Sequence, residues 1–171
     1  MRDRRLTLVL GGARSGKSAL AEALVTAHPG PWHYLATAEA RDPEMADRIA
    51  CHQTRRGAGW ITREVPTDLV GALDGTAPRR PVLVDCLTLW LSNLMLADAD
   101  LDAESERLAA ALADPRGPWV VVANEVGLGI VPDNPLARRF RDAAGRRNPR
   151  VAALADAVVL TVAGLPLRVK G

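Results

Sequence analysis

The residues Gly11-Gly12-Ala13-Arg14-Ser15-Gly16-Lys17-Ser18 match the pattern GxxxxGK[ST] in full. Glycines at this spacing let a loop turn its backbone N–H groups toward one point. The N-terminus of the helix that follows adds partial positive charge there. Lys17 is placed to reach the β- and γ-phosphates of a nucleoside triphosphate, and the Ser18 hydroxyl to ligate Mg2+. Composition singles out the lysine: the chain has 20 arginines and two lysines, Lys17 and Lys170. An ammonium is a compact point charge on a flexible stem, which a guanidinium does not replace. Such a loop needs a carboxylate at the end of a neighbouring strand. Asp85 closes the run Pro81-Val82-Leu83-Val84-Asp85 and fits that role on Mg2+, directly or through water. Its alternative role is to cap a helix beginning at Leu87.

Two further residues have chemistry to offer. His52, in Arg48-Ile49-Ala50-Cys51-His52-Gln53-Thr54-Arg55-Arg56, reads on its own as a surface histidine near a helix end. Glu125 follows another apolar run and is a candidate base, or a carboxylate that steadies the metal's ligands; a structural role is the alternative. Cys51 beside His52 is expected to be a packed small hydrophobe rather than a second nucleophile.

The elements that must position these residues alternate in type. Strands are expected at Leu6–Leu10, His33–Ala36, Trp60–Val65, Pro81–Asp85, Trp119–Ala123 and Ala157–Val162. Helices are expected at Lys17–Ala27, Leu87–Leu96, Leu101–Ala113 and Leu136–Gly145. Another is expected at Pro43–Thr54, with Asp42 as cap and Pro43 in the first position. A further helical stretch, capped by Asn148-Pro149, should run to Ala155. Continuous apolar strands alternating with helices predict an α/β fold with a mostly parallel sheet covered on both faces. The Gly/Pro-rich piece Gly127–Pro135 has the length of a functional loop, and Asp74–Arg80 reads as a plain connection.

The chain has 171 residues, enough for one catalytic domain over 1–171. With 48% hydrophobic and 25% charged residues it has a globular composition, and no apolar run is long enough to span a bilayer. The charged Met1–Arg5 stretch lacks the small-residue cleavage pattern of a signal peptide. Cys51 and Cys86 form no disulfide framework or metal cluster, and a reduced, cytoplasmic setting is expected. A net charge of +2 argues against nucleic acid as a partner. The six arginines between Arg138 and Arg150 lack interleaved aromatics beyond Phe140 and read as a solvated helix face or a subunit contact.

Taken in order, the segments resemble the adenosylcobinamide kinase / adenosylcobinamide-phosphate guanylyltransferase family. The resemblance rests on GGARSGKS at Gly11–Ser18, Leu35-Ala36-Thr37-Ala38, Glu44-Met45 with Arg48-Ile49 and His52, and Trp60 with Thr62 and Glu64. It continues through Val84-Asp85-Cys86-Leu87-Thr88 and Asn124-Glu125-Val126-Gly127-Leu128-Gly129-Ile130-Val131-Pro132. Arg138, Phe140-Arg141-Asp142, Gly145, Asn148 and Ala155-Asp156 complete it. Leu96–Pro118 carries no motif of the family. The resemblance implies a RecA-like P-loop NTPase fold and a homotrimer. It implies phosphorylation of adenosylcobinamide by ATP or GTP, then transfer of GMP from GTP to that phosphate through a guanylyl-histidine, releasing pyrophosphate. His52 matches the histidine, and Ala36, Thr37, Ala38, Gln53, Thr54, Arg55, Arg56, Glu64 and Asp85 match nucleotide-binding positions. A neutral imidazole is a good nucleophile near pH 7, and Arg55 and Arg56 can hold phosphate oxygens bidentately or remain solvated. Two alternatives share the loop: a P-loop kinase of another small metabolite with no covalent intermediate, and a non-catalytic nucleotide switch.

Overall fold

A computed structural model describes residues 5–40, 43, 50, 54 and 57–171. Short runs rich in Val and Leu form the strands, because branched side chains pack well on a pleated surface buried on both faces. They are β1 (Leu6–Gly11), β2 (Trp32–Ala36), β3 (Trp60–Glu64), β4 (Val82–Asp85), β5 (Trp119–Asn124), β6 (Ala157–Val162) and β7 (Leu165–Lys170). The helices are α1 (Lys17–Thr26), α2 (Leu69–Asp74), α3 (Leu87–Leu96), α4 (Leu101–Ala113) and α5 (Pro135–Leu154).

The strands make one sheet in the order β3-β2-β4-β5-β1-β6-β7. All pairs are parallel except β6 with β7. Alternate residues of the central strands face two cores. One holds Leu6, Leu8, Val84 and Val121 with Leu87, Trp90 and Leu91 of α3 and Leu108 of α4. The other holds Val9, Leu83 and Val122 with Ala21 and Val25 of α1. Each fully buried Leu or Val contributes about 1.5–3 kcal/mol relative to exposure, so this two-sided burial is what holds the sheet.

Three elements differ from the sequence expectation. The helix α2 is short and was not anticipated. Asp68 accepts a hydrogen bond from Gly71 N at 3.1 Å, and Leu69, Ala72 and Leu73 are buried. The strand β7 carries Pro166 and is exposed along its whole length, so it lacks the apolar signal of a central strand. It is held as an edge by antiparallel pairing with β6. The expected break near Gly145–Asn148 does not occur. α5 runs unbroken for 20 residues with Pro149 inside it, and Asn148 lies within the helix rather than capping one. Its buried residues Ala143, Ala144, Arg147, Asn148 and Val151 recur at helical spacing, and their packing outweighs the hydrogen bond that Pro149 removes. The other helices and strands stand within a residue or two of expectation. Of the expected helix Pro43–Thr54, only Pro43, Ala50 and Thr54 are described, all helical.

Candidate active site

The glycine loop leaves β1 and enters α1. Gly16 takes a φ of 92°, a left-handed conformation natural to glycine. At Gly11 the reason for glycine is space: a Cβ would collide with the side chains of Ser15 and Thr161. The buried Ser15 hydroxyl meets the Thr161 hydroxyl at 2.7 Å, and Thr161 also donates to Leu10 O at 3.0 Å. Gly164 N donates to Ser15 O at 3.0 Å. The β6–β7 turn is therefore the floor on which the loop rests. Gly12, Ala13, Arg14 and Gly16 are exposed, while Lys17 and Ser18 are half-buried. Lys17 Nζ donates to Gly12 O at 2.9 Å, which curls the ammonium over the loop it would share with phosphate.

The sheet sets the level of the neighbouring groups. Glu64 pairs with Ala36, Ala36 with Asp85, and Asp85 with Val122, so Glu64, Ala36 and Asp85 form one row across the C-terminal edge. The capping alternative for Asp85 is set aside, because the N-cap of α3 is Cys86, with no side-chain cap bond. Asp85 Oδ2 instead accepts a hydrogen bond from the Tyr34 hydroxyl at 3.0 Å. The Tyr34 ring is fixed edge-on to Trp60, with centroids 5.8 Å apart. Thr37 is fully buried. Its hydroxyl donates to Cys86 O at 2.6 Å and accepts from Cys86 N at 2.8 Å, latching the β2 tip to the residue after Asp85. The side chain of Thr37 thus shapes backbone rather than facing a ligand. The Cys86 thiol is pushed up by burial and by the Asp85 carboxylate, which keeps it protonated and inert.

Between β4 and β1 lies the tip of β5. Asn124 pairs with Gly11, and Glu125 N donates to Gly11 O at 3.1 Å. Asn124 N donates to Thr88 Oγ1 at 2.7 Å, and Asn148 Nδ2 donates to Asn124 O at 3.2 Å. The tip is thus tied to β1, α3 and α5. Glu125 is half-buried, and its Oε1 accepts from Gly127 N at 2.6 Å. Beyond it the loop exposes Leu128, Val131 and Ile130, the last at 97%. Beneath the tip, Arg147 is only 1% exposed, a departure from the expectation that the arginine-rich stretch forms a solvated helix face or a subunit contact. It donates to Leu87 O and to Asn148 Oδ1, and burial pulls its guanidinium down to about 10. Arg146 and Arg150 do lie on the solvated face, 3.7 Å from Asp102 and 3.9 Å from Glu106.

Gly11–Ser18, Ala36, Thr37, Asp85 and Glu64 therefore stand along one edge of the sheet, with Ala38 just beyond the β2 tip, and the member farthest from the loop is Glu64. That residue is exposed on β3, four strands from β1 in the sheet order, or roughly 19 Å at about 4.8 Å per strand. Thr54 is helical and exposed, its hydroxyl donating to Ala50 O at 2.8 Å. His52, Gln53, Arg55, Arg56 and Cys51 lie outside the described residues. Sequence reasoning missed Tyr34, Thr161 and Asn93, and noted Thr88 only within a family segment, without a role. Asn93 donates to Thr37 O at 2.8 Å and Pro66 O at 3.0 Å. These residues touch the site through pairs far apart in sequence, which no local spacing announces; a polar residue inside an apolar helix such as α3 was the available signal for Asn93.

A parallel sheet carrying a phosphate loop on one strand and a carboxylate two strands away defines a P-loop NTPase of RecA-like α/β type. Two solved structures agree at the level of fold. One is a prototypical ATPase from the type III secretion system of pathogenic bacteria, with TM-score 0.54 and 13% identity, covering 96% of this chain and 56% of that one. The other is a Pyrococcus horikoshii protein, with TM-score 0.55 and 8% identity, covering 98% of this chain and 86% of that one. The family is given by sequence. Residues 7–169 match the model of the cobinamide kinase / cobinamide phosphate guanyltransferase family, and the chain belongs to that family. The bifunctional adenosylcobalamin biosynthesis protein CobP of Pseudomonas aeruginosa is 48% identical over 174 residues, covering 100% of this chain and 98% of that protein. The corresponding protein CobU of Salmonella typhimurium is 41% identical over 181 residues, covering 96% and 99%. The chain is accordingly an enzyme with kinase and guanylyltransferase activity.

Proposed function

We propose that this chain phosphorylates adenosylcobinamide with ATP or GTP and then transfers GMP from GTP to the resulting phosphate through a guanylyl group on His52. The observation that carries the reading is the full-length likeness to two proteins named as bifunctional in adenosylcobalamin biosynthesis, 48% and 41% identical. The edge geometry supports it. Gly11–Ser18 with Lys17 are assigned to the phosphates at the start of α1, and Ala36 at the β2 tip pairs with Asp85.

Ser18 and Asp85 are the residues that would hold Mg2+. Among the described residues no group of three or more His, Cys, Asp or Glu converges. One carboxylate and one hydroxyl suit Mg2+, which retains waters and takes the remaining ligands from phosphate. When bound, the ion neutralises charge that develops on the phosphate oxygens. In the second reaction an imidazole nitrogen of His52 bonds to the α-phosphorus of GTP, and the bond to the pyrophosphate oxygen breaks. A phosphate oxygen of the corrinoid then bonds to that phosphorus, and the N–P bond breaks as the imidazole is reprotonated. Arg55 and Arg56 adjoin His52 in sequence and are assigned to the phosphate oxygens, and Gln53, Thr54 and Glu64 to the nucleotide. No helix among the described residues is long and apolar enough to cross a membrane; we assign the enzyme to the cytoplasm, as a homotrimer.

The test is incubation with Mg2+ and GTP labelled at the α-phosphate, then denaturation. Acid-labile, alkali-stable label on the wild type and none on His52→Ala is expected. Equal label on His52→Ala refutes the assignment of the histidine. Phosphorylated cobinamide with no label retained on either protein supports a kinase without a covalent intermediate.

A further inference from the structure

We propose that Glu125 is the general base of the phosphoryl-transfer half-reaction, a role that rests on the kinase activity assigned above. The strand order places β5 directly between β1, which delivers the phosphate loop, and β4, which delivers Asp85. Glu125 is the first residue past the Gly11–Asn124 pair, and its N–H bonds to Gly11 O at 3.1 Å. Its backbone therefore stands one strand spacing, about 5 Å, from the strand that carries the loop. Asp85 and Glu64 stand at the same edge. Asp85 receives the Tyr34 hydroxyl and is assigned to the metal, and Glu64 lies roughly 19 Å from the loop strand by the same spacing.

A general base must also be held still, since catalysis falls steeply with misplacement. The tip carrying Glu125 is fastened from β1, from α3 through Thr88, and from α5 through Asn148. The carboxylate itself is oriented by Gly127 N on Oε1 at 2.6 Å. Anchoring from three elements is more than a surface turn needs. The loop that follows Glu125 in sequence exposes Leu128, Ile130 and Val131, an apolar surface of the kind a large acceptor can use.

In the step assigned to Glu125 the cobinamide hydroxyl oxygen bonds to the γ-phosphorus of the nucleoside triphosphate. The bond from that phosphorus to the β-bridging oxygen breaks, and the nucleoside diphosphate leaves. The hydroxyl proton passes to the Glu125 carboxylate and from there to solvent.

The discriminating variant is Glu125→Gln. Glutamine keeps an Oε1 that accepts from Gly127 N, so the loop cap survives while the basicity is lost. With full-length protein and cobinamide as acceptor, kinase kcat is expected to fall about 10²–10⁴-fold with little change in the KM for nucleotide. Guanylylation of supplied cobinamide phosphate should stay within a few-fold of wild type, which also shows that the variant is folded. Glu125→Asp should recover part of the kinase rate. Kinase activity unchanged in Glu125→Gln leaves Glu125 as a loop cap and overturns the proposal. Equal loss of both half-reactions overturns it too, by placing Glu125 in the shared nucleotide site. Failure of the wild-type enzyme to phosphorylate cobinamide strikes the kinase reading instead and leaves the guanylyl assay to stand alone.

Discussion

Replacing Tyr34 by Phe removes one oxygen atom and tests whether Asp85 is a metal ligand held in advance. The Tyr34 hydroxyl donates to Asp85 Oδ2 at 3.0 Å from a residue that is 4% exposed. A hydrogen bond to a charged acceptor contributes about 1.5–3 kcal/mol, and loss of a group that orients a metal ligand typically costs about 10–100-fold in metal affinity. The aromatic ring remains, and with it the edge contact to Trp60 at 5.8 Å. Stability should therefore fall by no more than about 1 kcal/mol beyond the loss of the hydrogen bond itself. What should move is the Mg2+ concentration for half-maximal kinase rate, upward by about tenfold, which corresponds to 1.4 kcal/mol. The rate at saturating Mg2+ should stay within about twofold, since Asp85 still reaches the ion once concentration forces it. The assay is kinase velocity against Mg2+ at saturating nucleotide, alongside a thermal melt. A variant with the wild-type Mg2+ dependence and an intact fold refutes the reasoning: Tyr34 would then be a packed core residue whose hydroxyl merely found the nearest acceptor.

Two further perturbations probe the support of the site. Thr161→Val keeps the shape but removes the hydroxyl that meets Ser15 at 2.7 Å and Leu10 O at 3.0 Å; nucleotide KM should rise about fivefold and stability fall by about 1 kcal/mol, read by steady-state kinetics and a denaturant titration. Arg147→Met should leave the protein as stable or about 1–2 kcal/mol more stable at pH 7, because a guanidinium drawn down to about 10 is a buried charge that costs roughly 3 kcal/mol, offset by its two hydrogen bonds. The sign in pH follows from the lowered value of a basic group: the cost is present in full below about 10 and is relieved as pH rises through 10 toward the unfolded value, so the wild type should gain on the variant only there. A loss of 3 kcal/mol or more at pH 7 in Arg147→Met would show that the guanidinium is a net stabiliser.

What the sequence made legible is what local chemistry dictates. Gly11–Ser18 announces a phosphate loop because the spacing of two glycines, a lysine and a serine has few other uses, and the structure places it between β1 and α1 as expected. Buried runs such as Val82–Asp85 and Trp119–Asn124 stand out because a strand covered on both faces is apolar throughout. The failures have the same origin. β7 carries a proline and faces solvent, so nothing in its own residues demands a strand; its order comes from β6, and through Gly164 and Thr161 it supports the loop. Pro149 and Gly145 read as helix punctuation, yet α5 continues because its buried stripe belongs to the core and not to the local propensity. Tyr34 was invisible for a third reason: it is one aromatic among several near β2, and its partner lies 51 residues away.

The same edge explains how one sheet can serve two transfers. His52, the proposed guanylyl acceptor, lies in the connection that leaves β2 after Ala36 and returns at Trp60 to form β3. Both ends of that connection are fastened beside Asp85. At departure, Thr37 bonds both backbone groups of Cys86, and Thr37 N donates to Asp85 O at 3.1 Å. At return, β3 pairs with β2 from Trp60 to Glu64, and Val65 N donates to Ala36 O at 2.7 Å. Asn93 ties the two ends together, reaching Thr37 O and Pro66 O with one amide nitrogen. The hydrogen bonds described at its two ends hold the strands and Asp85 in place there. The two reactions attack different phosphorus atoms of a nucleoside triphosphate, γ in one and α in the other. Glu125 on a tip tied to three elements suits the reaction at γ, beside the loop. A histidine in a separately anchored connection suits the reaction at α, nearer the nucleoside, where the acceptor must be approached twice, once by GTP and once by the corrinoid phosphate.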